Sequence, residues 1–131
     1  MIGLDTNVLV RYIMQDDAKQ AAEATKLIES LSATEPGFVT LVSVVELVWV
    51  LSSCFDLTRR QIVQALDALL RAKQLVVDQA DQVVRALRTY SASSADFADC
   101  LIERTASSAG CTKTMTFDVG AAKQAGMTLI Q

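Results

Sequence analysis

Five acidic residues stand in places where ordinary packing does not call for them. Asp5 lies between Leu4 and the apolar run Val8-Leu9-Val10, and Glu46 lies inside the apolar run from Val44 to Leu51. Asp118 closes the segment Thr114-Met115-Thr116-Phe117-Asp118. Asp96 and Asp99 share one side of a helix with Glu103, at i, i+3 and i+7. The chain contains no histidine, which removes Ser-His-Asp and Cys-His catalysis and imidazole acid–base work. Chemistry must then come from carboxylates, hydroxyls, amines, thiols or a bound metal. Acids gathered without histidine repel one another unless a cation sits between them. Mg²⁺ and Mn²⁺ suit that role because they prefer carboxylate oxygens and water. Such ions activate water and neutralise charge developing on a phosphate, so phosphodiester hydrolysis is the chemistry implied.

Each acid also has an ordinary reading. Asp5 could cap the helix that begins near Thr6. Glu46 could close an S-x-x-E capping box with Ser43, or pair with an arginine inside the core. Asp118 could simply form a loop. Asp96 could be a first-turn acid facing solvent, with Glu103 also opposite the apolar arc. That arc runs through Phe97, Ala98, Leu101, Ile102, Thr105 and Ala109, and Asp99 sits at its edge.

The elements that would position these groups alternate between short strands and helices. Met1–Leu4, Phe38–Val42, Leu75–Asp78, Thr114–Phe117 and Thr128–Ile130 read as strands. Helices are expected from about Thr6, over 17–33, from Ser43 through Cys54, and over Thr58–Lys73 with Thr58 as cap. Further helices are expected over 80–90, over 95–109 with Gly110 as stop, and over Ala121–Gln124 ahead of Gly126. Pro36-Gly37 reads as a turn. Such alternation predicts an α/β fold with a short parallel central sheet flanked by helices, whose functional groups gather at the carboxyl ends of the strands.

Composition narrows the frame. The 131 residues, 51% apolar and 21% charged, predict one domain over 1–131 and exclude a disordered chain. The net charge of −3 is not the footprint of a protein that holds nucleic acid by a broad basic face. Assigning four of the 15 acids to one metal site leaves 11 against 12 bases, so the acidity resides largely in that site. Cys54, Cys100 and Cys111 form no CxxC pair and are expected to be free, mostly buried thiols in a reducing cytoplasm. The N-terminus lacks the basic start of a signal peptide, and no apolar run reaches the ~18 residues of a membrane span. The protein is therefore expected to be cytoplasmic, with no membrane partner.

The segments I-G-L-D-T-N-V-L-V-R-Y, S-V-V-E-L-V-W-V-L, A-D-F-A-D-C-L-I and T-F-D together resemble the motifs of PIN-domain ribonucleases, and most of all the VapC toxins of bacterial VapBC toxin–antitoxin pairs. The likeness runs along essentially the whole chain. It implies a three-layer α/β/α PIN-like fold and an Mg²⁺- or Mn²⁺-dependent endoribonuclease acting as the toxin of a type II pair. It further implies an RNA substrate, a VapB-type antitoxin partner and a homodimer. By this resemblance Asp5, Glu46, Asp99 and Asp118 form the catalytic, metal-binding set. Thr6 and Thr116 place hydroxyls at the pocket rim, and Asp96 is a supporting acid. The fourth motif departs from many members, because Val119-Gly120-Ala121-Ala122 replaces a basic stretch.

Other readings make distinct demands. A phosphorylatable receiver domain needs an acid pair after the first strand and a lysine after a late one. A haloacid-dehalogenase-type phosphotransferase needs D-x-D where Asp5-Thr6-Asn7 stands. A PIN nuclease of RNA processing, without a toxin role, has the same residues. Candidates to hold the RNA backbone are Arg11, Arg59, Arg60, Arg85, Arg88 and Arg104. Arg11, one and a half turns beyond the site, is the strongest of them. Trp49 and the apolar face around it are expected in the core or in dimer contacts.

Overall fold

A computed structural model describes residues 1–131, and the chain packs as two compact units, Met1–Asp78 and Gln79–Gln131. The first unit runs β1 (Ile2–Gly3), α1 (Thr6–Met14), α2 (Ala18–Ser30), β2 (Gly37–Val39), α3 (Leu41–Ser53), α4 (Arg59–Arg71) and β3 (Leu75–Val77). Its strands form a parallel sheet in the order β1-β2-β3, with Ile2 opposite Gly37 and Gly37 opposite Leu75. Helix starts are set by local capping. Asp17 accepts the Gln20 N–H at 2.9 Å, and Thr58 and Gln61 form a reciprocal capping box. The core gathers Leu9, Ile28, Val39, Val44, Leu47, Leu51, Ile62 and Leu66, all sealed from solvent.

Two expectations in this unit change. Pro36-Gly37 is not the turn; the chain turns through Ser32–Glu35, where the Glu35 N–H donates to Ser32 Oγ at 3.1 Å. Gly37 instead opens β2, because a side chain there would meet Leu4 Cδ1 at 2.8 Å and Leu31 Cδ1 at 2.9 Å. Second, α3 starts at Leu41 rather than Ser43. Thr40 takes the cap, accepting the Ser43 N–H at 3.1 Å, so β2 ends at Val39 and Ser43 lies inside the first turn.

The second unit runs α5 (Ala80–Ala92), α6 (Phe97–Ser108), β4 (Met115–Thr116), α7 (Val119–Gln124) and β5 (Thr128–Leu129). Helices α5 and α6 pack together around Val83, Leu87, Tyr90, Phe97, Cys100 and Leu101. The Tyr90 and Phe97 rings meet edge-to-face at 5.7 Å. Strands β4 and β5 pair in parallel, Met115 opposite Thr128. Gly110 and Gly126 follow the ends of α6 and α7 with φ of +100° and +80°, the left-handed exit that glycine permits. The fold class is therefore the expected helix-rich α/β one with short parallel strands, which pair as a group of three and a group of two.

The phase of α6 differs from the expected arc. Cys100 is buried in place of Ile102, which is exposed. No cysteine is in a disulfide, and only Cys100 is buried. Cys54 sits at the C-cap of α3 and Cys111 just after the Gly110 turn, two places where the chain leaves its packed helix.

Candidate active site

In the first unit, Asp5 follows β1 and caps α1. Its extended backbone (φ −75°, ψ 157°) turns the carboxylate back, and Oδ1 accepts the Thr6 N–H at 2.7 Å. The anchoring side chain beside it is Thr6, only 7% exposed. A buried hydroxyl needs a partner, and Thr6 Oγ1 donates to Glu46 Oε1 at 2.8 Å. Asp5, at the N-cap of α1, and Glu46, on α3, are thereby tied to the same residue. Sequence reading placed Thr6 at the rim for water or phosphate and missed this bond, which spans 40 positions and has no local signal.

Glu46 itself is exposed, not buried. Helix α3 directs Val44, Leu47, Val48 and Leu51 inward and leaves Val42 (70% exposed), Glu46 and Trp49 (64%) on its outer side. The capping box with Ser43 is absent because Ser43 is not the cap, and Trp49 is not a core residue. A helix apolar all round must expose part of its apolar surface wherever only one side meets the core.

Arg11 is largely committed within its own unit. Its Nε donates to Gln20 Oε1 at 2.8 Å and its Nη1 pairs with Asp16 at 3.1 Å. It lines a cleft between α1 and α2 of about 470 Å³, with Asn7, Val8, Glu23 and Leu27.

The second unit carries the remaining acids. Asp96 holds the N-cap position of α6 with no side-chain cap bond, and Asp99 lies half-buried in its first turn. Asp118 caps α7, Oδ1 accepting the Ala121 N–H at 3.2 Å, while its own N–H donates to Thr116 Oγ1 at 3.0 Å. Thr116 thus anchors the turn that presents Asp118. Burial, and then the negative charges of Asp96 and Asp118, push the Asp99 carboxyl above its usual range. Asp96 is the exposed N-cap residue of α6, and its charge, with that of Asp118, is felt at Asp99.

Glu103, expected in solvent, is instead only 14% exposed and forms a two-pronged pair with Arg104, with Nη2 donating to Oε1 at 2.7 Å. That hydrogen bond raises the Arg104 guanidinium and removes both side chains from the list of free groups. Arg60, Arg85 and Arg88 are exposed.

Within neither unit do three acidic or thiol side chains draw together closely enough to hold a metal ion. The donors present at the strand ends are nonetheless all carboxylate and hydroxyl oxygens, the set that fits a hard divalent cation and not a thiophilic one.

The PIN domain family matches residues 2–127, which span both units. The chain belongs to the PIN domain family. No curated protein matches it. PIN domains are nucleases that generally use divalent metals, and family membership makes this chain a nuclease-class domain. No helix is long and apolar enough to cross a membrane.

Proposed function

We propose that this PIN domain is an Mg²⁺- or Mn²⁺-dependent endoribonuclease, the toxin of a type II toxin–antitoxin pair. In this reading it acts in the cytoplasm as a homodimer over residues 1–131 and is held in check by a VapB-type antitoxin. The observation that carries the nuclease reading is the setting of Asp99 in the first turn of α6, where burial, and then the charges of Asp96 and Asp118, hold its carboxyl above the usual range. A bound cation favours the ionised form of such a carboxyl.

Asp5, Glu46, Asp99 and Asp118 are the acids assigned to the metal, with Asp96 in support. A divalent ion bound there supplies water activation and charge neutralisation at a phosphate. The chain's own residues supply position. Thr6 holds Glu46 through its hydroxyl, the Asp5 cap fixes the start of α1, and Thr116 fixes the backbone of Asp118. Arg11 is the phosphate-contact candidate, released for that role only if RNA displaces Asp16 and Gln20. The outer side of α3, with Val42 and Trp49, supports the homodimer part of the reading.

The test is RNA cleavage by the purified chain, freed of any bound antitoxin, in EDTA, Mg²⁺ or Mn²⁺. Cleavage should need the metal and should be abolished by Asp5→Asn or Asp99→Asn with the fold intact. Metal-independent cleavage, or full activity in both variants, overturns the mechanism. Induced expression in bacteria separates the toxin from an RNA-processing nuclease. Growth arrest by the wild type but not by Asp5→Asn supports the toxin.

A further inference from the structure

The turn between β4 and α7 presents an aromatic ring with almost no support from the protein. Phe117 is 81% exposed, more than any other large apolar residue of the chain, and it immediately precedes Asp118. The turn around it is not loose. Thr116 continues the β4–β5 ladder, accepting the Ile130 N–H at 2.8 Å. The Asp118 N–H is held by Thr116 Oγ1 at 3.0 Å, and Asp118 Oδ1 holds the Ala121 N–H at 3.2 Å. The hydrogen-bonded backbone of the turn therefore places Phe117 next to a candidate ligand. Val119, on the other side of Asp118 in sequence, is exposed as well.

We propose that Phe117 is a base-stacking residue, which holds one unpaired nucleobase of single-stranded RNA at the β4–α7 turn that carries Asp118. The inference rests on the nuclease reading above and adds to it a substrate contact. Its physical basis is that every base has a π-face, so an exposed ring serves as a platform whatever the sequence. A duplex leaves no base face free, so the contact selects loops and single strands. The net charge of −3 makes such a contact more necessary, because no broad basic face holds the strand.

A protein occupant fits the place less well. A stable interface needs about 800 Å² per partner, whereas an aromatic side chain offers roughly 150–250 Å². The acids Asp96, Asp99 and Asp118 in the same unit are the residue type that interface centres exclude.

The experiment compares wild type with Phe117→Ala, Phe117→Leu and Phe117→Trp on a single-stranded oligonucleotide substrate with Mg²⁺. Loss of stacking should raise KM about 5- to 100-fold in Phe117→Ala with a smaller change in kcat. Phe117→Leu keeps apolar bulk without a π-face and should behave like Phe117→Ala, while Phe117→Trp should restore KM. The melting temperature should move by no more than about 2 °C in any variant, because the ring is exposed. A second readout, taken in the Asp5→Asn background with Mg²⁺ so that the strand is not cut, is fluorescence quenching of a 2-aminopurine hexanucleotide, expected with Phe117 kept or with Phe117→Trp only. Wild-type KM and quenching in Phe117→Ala overturn this inference alone and leave the nuclease reading standing. So does a Phe117→Ala variant whose only change is loss of a dimer, since the ring then serves a second copy of the chain. Absence of any cleavage by the wild type overturns both.

Discussion

Replacing Thr6 with valine exchanges one hydroxyl for a methyl and leaves the rest of the side chain in place. The hydroxyl is the donor that holds Glu46 Oε1 at 2.8 Å. A hydrogen bond to a charged group contributes about 1.5–3 kcal/mol. Glu46 is exposed, so water recovers most of its lost partner and the lower end applies. The new methyl sits where Thr6 is 7% exposed and returns about 0.8 kcal/mol by burial. The net cost to folding is then about 1 kcal/mol or less, or a few degrees in melting temperature. The cost to catalysis should be larger. An unanchored glutamate side chain regains about 1.5–2 kcal/mol of rotamer freedom, and each 1.4 kcal/mol is a factor of ten in rate. Cleavage should therefore fall about tenfold or more while urea unfolding shifts little. The assay is a double-mutant cycle with Glu46→Met, which removes the acceptor and keeps the side-chain length, read by urea denaturation, together with initial rates of RNA cleavage by Thr6→Val. In the Glu46→Met background, Thr6→Val should cost almost nothing further in stability beyond the gain from its own methyl. Wild-type cleavage by Thr6→Val, or full additivity in the cycle, would refute the view that Thr6 acts by holding Glu46.

Two further outcomes follow from the second unit. Asp99 is raised above its ordinary 3.8 by burial and by Asp96 and Asp118, so the folded state binds its proton more tightly than the unfolded chain does. The stabilisation from that proton is full below the unfolded value and is lost as pH rises through the folded one. Asp99→Asn should therefore be more stable than wild type at about pH 7 in EDTA, with the difference vanishing near pH 3. An Asn variant that is less stable at neutral pH contradicts this. Asp118 separates two roles by substitution: Asp118→Asn keeps the cap on Ala121 and should unfold like wild type, whereas Asp118→Ala should lose about 1 kcal/mol. Both should lose cleavage, and equal stability of the two variants would show that the cap contributes nothing.

Much of the fold was legible because its signals are local. Thr58 with Gln61, and Gly110 and Gly126 as stops, act within one turn of the helix ends they define, and alternation of strand and helix follows from their spacing. The failures share one cause, competition settled by tertiary packing. Thr40 and Ser43 offer nearly the same capping chemistry one turn apart, and the strand register that ends β2 at Val39 favours Thr40. Gly37 looks like a turn residue but lies in β2, where the Leu4 and Leu31 side chains stand close to the place a Cβ would take. Glu46 looked buried because its neighbours are apolar, yet a helix resting on one side exposes apolar residues too, as Trp49 shows. The candidate acids were legible by type and by position at strand ends. The contacts that hold them were partly legible: the Asp5 and Asp118 caps are local, while the Thr6–Glu46 bond and the action of Asp118 on Asp99 are not.

The capping by Asp5 and Asp118, set beside the metal role proposed for both, has a genetic side. Each carboxylate caps a helix with one oxygen, an office that asparagine fills about equally well. Aspartate and asparagine codons differ by a single base transition. On the proposed assignment of both acids to the metal, a gene for this protein lies one such step, at either of two codons, from a product that folds and persists without cutting. Where a nuclease harms its host, these two codons are the cheapest exits. Silenced copies that have lost activity but kept their fold should carry asparagine at position 5 or 118 more often than disruptions of the core.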